Sequence, residues 1–260
     1  MRRVTAAPQP FTPDPTALDR TIDFRYVFNV RDLGGLPTQD GRTVRRGLVF
    51  RADGVHRLDG DDLEAARALG LQTVIDLRTE AEVSRGRFPT EQYPVRWHHL
   101  PVLRRIWSDD ELVAGASAAE FLRDRYLDML DSGGDSVAGA LALVAGGAPA
   151  LFHCAAGKDR TGVVAAVLLG LLGVADDDIV ADYHASAGAM AAFVDWLTIE
   201  FPQALDSMTS QPPEYLEAPP EAMAGFLDGV RERYGSMEGL ADHLGVPAEV
   251  VTELRATLLD

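Results

Sequence analysis

The sequence lacks the features that mark several large classes of protein. It contains one cysteine, Cys154, among its 260 residues. A single cysteine cannot form an internal disulfide or a cysteine-rich metal site. We also expect no other metal and no cofactor. The sequence contains no stretch of about 18 apolar residues, so it predicts no membrane span. The N-terminus, MRRVTAAPQPFTPDP, lacks the apolar core of a cleaved signal peptide, and we expect a soluble, cytoplasmic protein.

Positive charge is also scarce. The formal net charge is −16, which argues against nucleic-acid binding. Residues 1–160 carry 21 basic and 23 acidic side chains, whereas residues 161–260 carry 3 and 17. We expect the acidic part to be a solvated surface. A site for an anionic substrate is then expected in the N-terminal part, where the arginines are.

Lysine is as rare as cysteine. Of the 24 basic residues 23 are arginine, and the one lysine, Lys158, lies four positions after Cys154 in the stretch HCAAGKDRTG, residues 153–162. Two rare residues this close together single out this stretch as the first candidate for a functional site.

The pattern along the chain predicts an α/β fold. Short apolar runs at 47–52, 71–77, 95–102 and 149–154 are typical of strands, and helical spacing follows at 59–69, 118–130, 137–145 and 161–173. The alternation predicts a central, mostly parallel sheet flanked by helices. We expect residues 1–20 to be loosely ordered and residues 21–260 to form one domain, in which the Pro- and Ser-rich stretch 202–220 is a mobile connection or part of a lid.

The stretch around Cys154 runs from a buried strand through a small-residue loop into a helix that starts near Thr161. Ala155, Ala156 and Gly157 allow successive backbone N–H groups to turn inward as an anion nest, and the helix adds its positive end. Arg160 can hold two oxygens of a phosphate, with Cys154 below the phosphorus. The same positive field favours a thiolate at Cys154. A nucleotide-binding P-loop is excluded, because no Ser or Thr follows the lysine.

The stretch resembles the active-site loop of protein tyrosine phosphatases, and GKDRTG is most similar to a bacterial group with mycobacterial members. NVRDLGGL (29–36), GLVFRADGVHRL (47–58) and TVIDLRTEAE (73–82) are similar to other motifs of that group, in the same order. The resemblance implies a helical lid, here around residues 186–220. It also implies action on phosphotyrosine, on phosphoserine or phosphothreonine, and on phosphoinositides, and it leaves open secretion without a signal peptide.

The mechanism that the resemblance implies is a double displacement without metal, in which Cys154 forms a cysteinyl phosphate. In the group the general acid is the aspartate inside the loop, here Asp159. Two alternatives stay open: Asp76, at a strand end, which could instead only pair with Arg78, and Asp109, in the sequence Trp107-Ser108-Asp109. Thr161 is expected to stabilise the thiolate in the second step, and His153 to order the loop rather than to carry protons.

Lys158 is expected at the rim of the pocket as a compact, mobile charge. Lipid phosphatases of the phosphatase-and-tensin type have a lysine at the like position, so Lys158 suggests phosphoinositide substrates. Arg31 and Asp32 are expected to fix a turn, and the adjacent His98 and His99 are not expected to share a metal. The competing functions are a catalytically silent phospho-binding module, and sulfur transfer or arsenate reduction, although one cysteine leaves no resolving thiol for the last.

Overall fold

The structure, a computed structural model, describes residues 20–105, 117–200 and 217–260. Residues 1–19 of the segment expected to be loosely ordered lie outside these ranges. So do Trp107, Ser108 and Asp109, and residues 202–216 of the predicted connection.

A five-stranded sheet forms the centre of the fold, in the order β1-β2-β5-β3-β4. The strands are β1 (Arg31–Asp32), β2 (Val49–Ala52), β3 (Thr73–Asp76), β4 (Arg96–His99) and β5 (Ala150–His153). β2, β5, β3 and β4 are parallel, and β1 pairs with β2 antiparallel. Each of the four predicted runs contains a strand, and the predicted fold class, a mostly parallel sheet flanked by helices, is confirmed.

The described residues contain nine α-helices. They are α1 (Gly60–Ala68), α2 (Glu80–Val83), α3 (Ala118–Gly147), α4 (Asp159–Leu171), α5 (Asp176–His184), α6 (Ser186–Glu200), α7 (Pro220–Tyr234), α8 (Met237–His243) and α9 (Ala248–Leu258). The two helices predicted over 118–130 and 137–145 are joined as α3, which is non-helical only at Gly133. The backbone at Gly133 lies against the segment that follows β4, and a Cβ at this position would come within 2.2 Å of the Val102 carbonyl oxygen.

The three central strands are buried on both faces, as parallel strands between helices are. Successive residues of these strands lie in two different apolar clusters, one on each face of the sheet. Val49, Ile75 and Phe152 pack with the larger group of helices, which includes α3 and α4. Phe50, Val74 and Leu151 pack with α1 and the chain before β1. None of the described helices combines the length and the apolar character needed to cross a membrane.

The sheet register brings the candidate segments together. Ala52, His153 and Asp76 are paired neighbours at the carboxyl ends of β2, β5 and β3. The chain therefore leaves all three strands at one edge, with Cys154 in the middle. Open α/β sheets bind ligands at this edge.

Candidate active site

Cys154 lies at the base of a short loop between β5 and α4. Its side chain is buried, and α4 begins at Asp159 with Lys158 as its N-cap residue. The sequence predicts a helix start near Thr161, and the helix begins two residues earlier. As a result Asp159 and Arg160 occupy the first helical turn, and the positive end of the helix dipole lies at the loop.

The carbonyl oxygens of the loop are all bound by the surrounding framework. Gly54 N donates to Ala155 O at 3.2 Å, Asn29 Nδ2 to Ala156 O at 3.1 Å, and Arg51 Nη2 to Gly157 O at 2.8 Å. Because the N–H of a planar trans peptide points opposite to its carbonyl, the three following N–H groups face away from the framework. Such a run of convergent N–H groups suits an anion.

Gly157 makes this loop shape accessible. Its φ is +66°, in the left-handed region that favours glycine, and a Cβ here would lie 2.6 Å from the backbone oxygen of Ala52. The loop therefore lies directly against the end of β2, where no larger residue fits.

Arg160 is held by Glu82 of α2 through two hydrogen bonds. Nη1 donates to Glu82 Oε2 at 2.6 Å and Nη2 to Oε1 at 2.9 Å. Burial opposes ionisation of Glu82, but the hydrogen bonds and charge of Arg160 lower its pKa to about 2. The pair uses two of the five guanidinium N–H groups, so Nε and the remaining Nη protons stay available for a phosphate.

Sequence reasoning missed Glu82, although a signal for it exists. Thr79 and Glu82 form a capping box at the start of α2, in which Glu82 Oε2 accepts from Thr79 N at 2.8 Å and from its hydroxyl at 2.8 Å. The pattern Thr-x-x-Glu predicts this local arrangement. The same oxygen also accepts a hydrogen bond from Arg160. The capping box therefore fixes the carboxylate that orients the arginine.

The carboxylate of Asp159 is the more accessible of the two candidate acids in the described residues. Its side chain is 23% exposed, and Oδ1 accepts from the Tyr126 hydroxyl at 2.7 Å. Asp76 has no exposed surface and binds Arg78 through both oxygens, at 2.9 and 2.6 Å. Burial opposes ionisation of Asp76, yet His153 and Arg78 keep its pKa below the ordinary value. The third candidate, Asp109, lies outside the described residues.

Lys158 does not lie at the rim of the pocket, where we expected it. Its side chain is only 3% exposed, Nζ donates to the Glu217 carbonyl at 2.9 Å, and it lies 3.4 Å from Asp159 Oδ1. The chain just before α7 therefore covers Lys158. The ammonium group of Lys158 faces the carboxylate of Asp159.

His153 and Thr161 are both fully buried beside the loop. Nδ1 of His153 lies 3.2 Å from the Cys154 carbonyl, and burial is the main cause that lowers the His153 pKa to about 4. The imidazole is thus neutral at pH 7, as suits an ordering role. The Thr161 hydroxyl has no hydrogen-bond partner within the described ranges, which leaves it available as a donor.

Three arginines of the N-terminal part share one buried carboxylate. Arg20, Arg31 and Arg51 all contact the buried carboxylate of Asp182 on α5. Burial opposes ionisation of Asp182, but the three guanidinium groups hold its pKa far below the ordinary value. Since Arg51 also donates to the Gly157 carbonyl, this cluster is bonded directly to the loop.

Asp182 was missed because the acidic residues after position 160 are all expected on a solvated surface. The signal was its position: Asp182 shares a helix face with the buried Ile179 and Tyr183. Asp32, in contrast, fixes a turn as expected, because its two oxygens accept from Gly34 N and Gly47 N, each at 2.7 Å.

The predicted lid region begins with α6. Its aromatic residues Phe193 and Trp196 pack on Phe28, with ring centroids 5.8 and 5.6 Å apart, and Phe28 directly precedes the loop-binding Asn29. Residues 201–216 of the region lie outside the described residues. In the part of the chain that is described, no group of three or more His, Cys, Asp or Glu side chains is placed to hold a metal ion.

Comparison with known proteins finds relatives that are named as phosphatases. A protein of Cupriavidus necator named as a tyrosine-protein phosphatase is 38% identical over 178 residues, which cover 66% of this chain and 65% of that relative's length. The triple specificity protein phosphatase PtpB of Mycobacterium tuberculosis is 28% identical over 276 residues, which cover 90% of this chain and 97% of PtpB.

Among solved structures, P. aeruginosa TpbA in complex with phosphotyrosine covers 66% of this chain and 91% of its own, at 15% identity and a TM-score of 0.31. The model of the tyrosine phosphatase family matches residues 22–260, which include every described element of the site. The chain belongs to the tyrosine phosphatase family.

Proposed function

We propose that this chain hydrolyses phosphate monoesters, phosphotyrosine in proteins first among them, through a cysteinyl-phosphate intermediate. The observation that carries the proposal is the loop over Cys154. Its carbonyls are bound outward by Gly54, Asn29 and Arg51, and Arg160 is fixed by Glu82. This is a preorganised site for a tetrahedral dianion, with a nucleophile at its base.

In the first step the Cys154 thiolate attacks phosphorus, an S–P bond forms, and the bond to the leaving oxygen breaks. Asp159 supplies the proton that this oxygen needs, a contribution of typically 10²–10⁴-fold in rate. Arg160 and the loop N–H groups bind the three other oxygens. In the second step water attacks phosphorus, Asp159 takes a proton from it, and the thiolate leaves while it accepts a hydrogen bond from Thr161.

The choice of Asp159 as the acid is supported by exposure and by partners. Asp76 is fully buried and bound at both oxygens by Arg78, so it has no route to a substrate. Asp159 is partly exposed on the first turn of α4, next to Arg160.

We further propose that the substrates include phosphoserine, phosphothreonine and phosphoinositides. The mycobacterial relative's name states triple specificity, and the buried charge of Lys158 lies beside the loop, where a second phosphate could replace the Glu217 carbonyl.

The acid assignment is tested by Asp159→Asn with a series of aryl phosphates, without added metal. The variant should slow phenyl phosphate about 10²-fold or more and p-nitrophenyl phosphate far less, because only the poor leaving group needs the proton. Asp135→Asn, at an exposed position of α3, is the control and should change neither rate. Equal losses for both esters would overturn the assignment, and binding without any hydrolysis would favour the silent module.

A further inference from the structure

Two tyrosines form a hydrogen-bonded chain that ends on Asp159. The Tyr126 hydroxyl on α3 lies 2.7 Å from Asp159 Oδ1 and 2.7 Å from the Tyr183 hydroxyl on α5. Both tyrosines are completely buried. Side chains of three helices, α3, α4 and α5, are thus linked by hydrogen bonds beside the catalytic loop.

The direction of the chain follows from the chemistry of its end. An ionised carboxylate only accepts hydrogen bonds, so Tyr126 donates to Asp159, and its own oxygen is left to accept from Tyr183. Burial, together with the charge of Asp159, raises the pKa of Tyr126 well above its ordinary value, and burial raises that of Tyr183. Both phenols therefore remain protonated, and thus able to donate, at neutral pH.

The two oxygens of Asp159 are not equivalent. Oδ1 accepts from Tyr126 and is also the oxygen 3.4 Å from Lys158 Nζ, whereas Oδ2 has no hydrogen-bond partner within the described residues. A proton on the carboxyl group will reside on the oxygen that neither accepts from Tyr126 nor faces the Lys158 ammonium group. That oxygen is Oδ2.

Local packing maintains this arrangement. A Cβ at Gly162, on the first turns of α4, would come within 3.1 Å of the Tyr183 ring, so a residue without a side chain lets α5 approach. The Tyr126 and Tyr183 rings meet edge to face, with centroids 5.9 Å apart.

We propose that Tyr126, aligned by Tyr183, is a positioning residue for proton transfer: it holds Oδ1 of Asp159 so that the transferable proton lies on Oδ2 and faces the leaving oxygen. The inference rests on the proposed function, in which Asp159 is the general acid. Neither tyrosine touches the substrate, and both act only through the carboxylate.

Tyr126→Phe tests the proposal, because it retains the ring and removes the hydroxyl. We expect kcat for phenyl phosphate to fall about tenfold or more, since misorientation of a catalytic group by about 1 Å can cost 10²-fold. With p-nitrophenyl phosphate kcat should change by less than about twofold, because its leaving group needs little protonation. KM and the inhibition constant of inorganic phosphate should stay unchanged. Tyr183→Phe should give the same pattern with a smaller loss.

Tyr93→Phe is the matched control. Its hydroxyl also donates one hydrogen bond, at 3.1 Å to the Leu71 carbonyl, and its ring packs with the cluster on the other face of the sheet. It should change neither rate. If Tyr126→Phe does not fold, as judged by its thermal transition, Tyr183→Phe carries the test.

A double variant separates this inference from the proposed function. In the Asp159→Asn background, Tyr126→Phe should add no further dependence on the leaving group, because the two residues act as one unit. If Asp159→Asn is itself selective for poor leaving groups but Tyr126→Phe lowers both rates equally or neither, the positioning role is overturned and the acid stands. If Asp159→Asn is not selective, the acid assignment fails, and the inference fails with it.

Discussion

Glu82 and Arg160 form a two-pronged ion pair that joins α2 to the first turn of α4, with N–O distances of 2.6 and 2.9 Å. The residues are 78 positions apart in the sequence. The pair fixes the plane of the guanidinium group before any phosphate arrives. Binding energy then need not be used to order this long side chain.

Replacing Glu82 should therefore weaken catalysis without removing a group that touches substrate. In Glu82→Gln one prong meets an amide N–H in place of an oxygen, and the guanidinium group loses its fixed plane. We expect kcat/KM for p-nitrophenyl phosphate to fall about tenfold or more, equivalent to about 1.4 kcal/mol. Steady-state kinetics measure this. Glu64→Gln, which breaks an exposed pair with Arg67, is the control, and a Glu82→Gln enzyme as active as this control would contradict the role.

The same pair makes part of the stability depend on pH. Arg160 lowers the pKa of Glu82 from 4.5 to about 2 against the opposing effect of burial. When the folded-state pKa lies below the unfolded-state value, the unfolded chain binds more protons between the two, so stability rises with pH there. The contribution of Glu82 is complete above about pH 4.5 and is lost as the pH falls to about 2.

Urea unfolding of the wild type and Glu82→Gln measures this effect. The difference in the free energy of unfolding between the two should be constant from pH 7 to pH 5 and should shrink progressively below pH 4.5. A difference that stays constant down to pH 3, or widens, would show that the carboxylate is not held ionised by Arg160.

Gly157→Ala should disrupt the loop. The left-handed φ of +66° and a distance of 2.6 Å from the new Cβ to the Ala52 oxygen both oppose alanine. An unfavourable backbone conformation alone costs about 1–3 kcal/mol, and we expect that loss in thermal unfolding together with loss of most activity. Gly146→Ala is the matched control, because nothing lies within 4 Å of its Cβ position. In a helix it should be neutral or stabilising by roughly 0.5–1 kcal/mol. Equal effects of the two substitutions would refute this account of the loop.

Lys158→Ala tests the phosphoinositide part of the proposal. Nζ now binds the Glu217 carbonyl, and a second phosphate on an inositol ring would be a stronger, charged partner. Loss of such a contact costs about 1.5–3 kcal/mol. It should therefore lower kcat/KM for a short-chain phosphoinositide more than about tenfold relative to kcat/KM for p-nitrophenyl phosphate. Lys158→Arg should restore only part of it, because the two cations differ in shape. If both substrates are affected alike, Lys158 serves the common phosphate, and the phosphoinositide proposal loses its support in this chain.

Four of the five strands and the loop of small residues after β5 could be predicted because each is encoded locally. A run such as PALFHC is short, apolar and followed by small residues, so both the end of the strand and the nature of the following turn follow from neighbouring residues. The exact ends of the two helices predicted over 118–130 and 137–145 could not be placed in this way. Between them only Gly133 departs from helical geometry, as a kink within α3.

The partners of the site residues could not be predicted because they come from distant segments. Arg51 and Asp182 are 131 positions apart, and Tyr126 and Asp159 are 33 apart. Composition showed that arginines are concentrated before residue 161, but it could not show that Arg20, Arg31 and Arg51 are occupied by one buried carboxylate. Only the packing of α5 against α4 and α7 brings that carboxylate to them.

In the proposed mechanism Cys154 carries the phosphoryl group between the two steps. The most direct measurement is a rapid acid quench of the wild-type chain during turnover of a radiolabelled phosphotyrosyl peptide, followed by mapping of the label. We predict transient label on the peptide that contains Cys154, and none in Cys154→Ser, which should bind the substrate without turning it over. Wild-type turnover with no labelled cysteine, or substantial turnover by Cys154→Ser, would contradict the account.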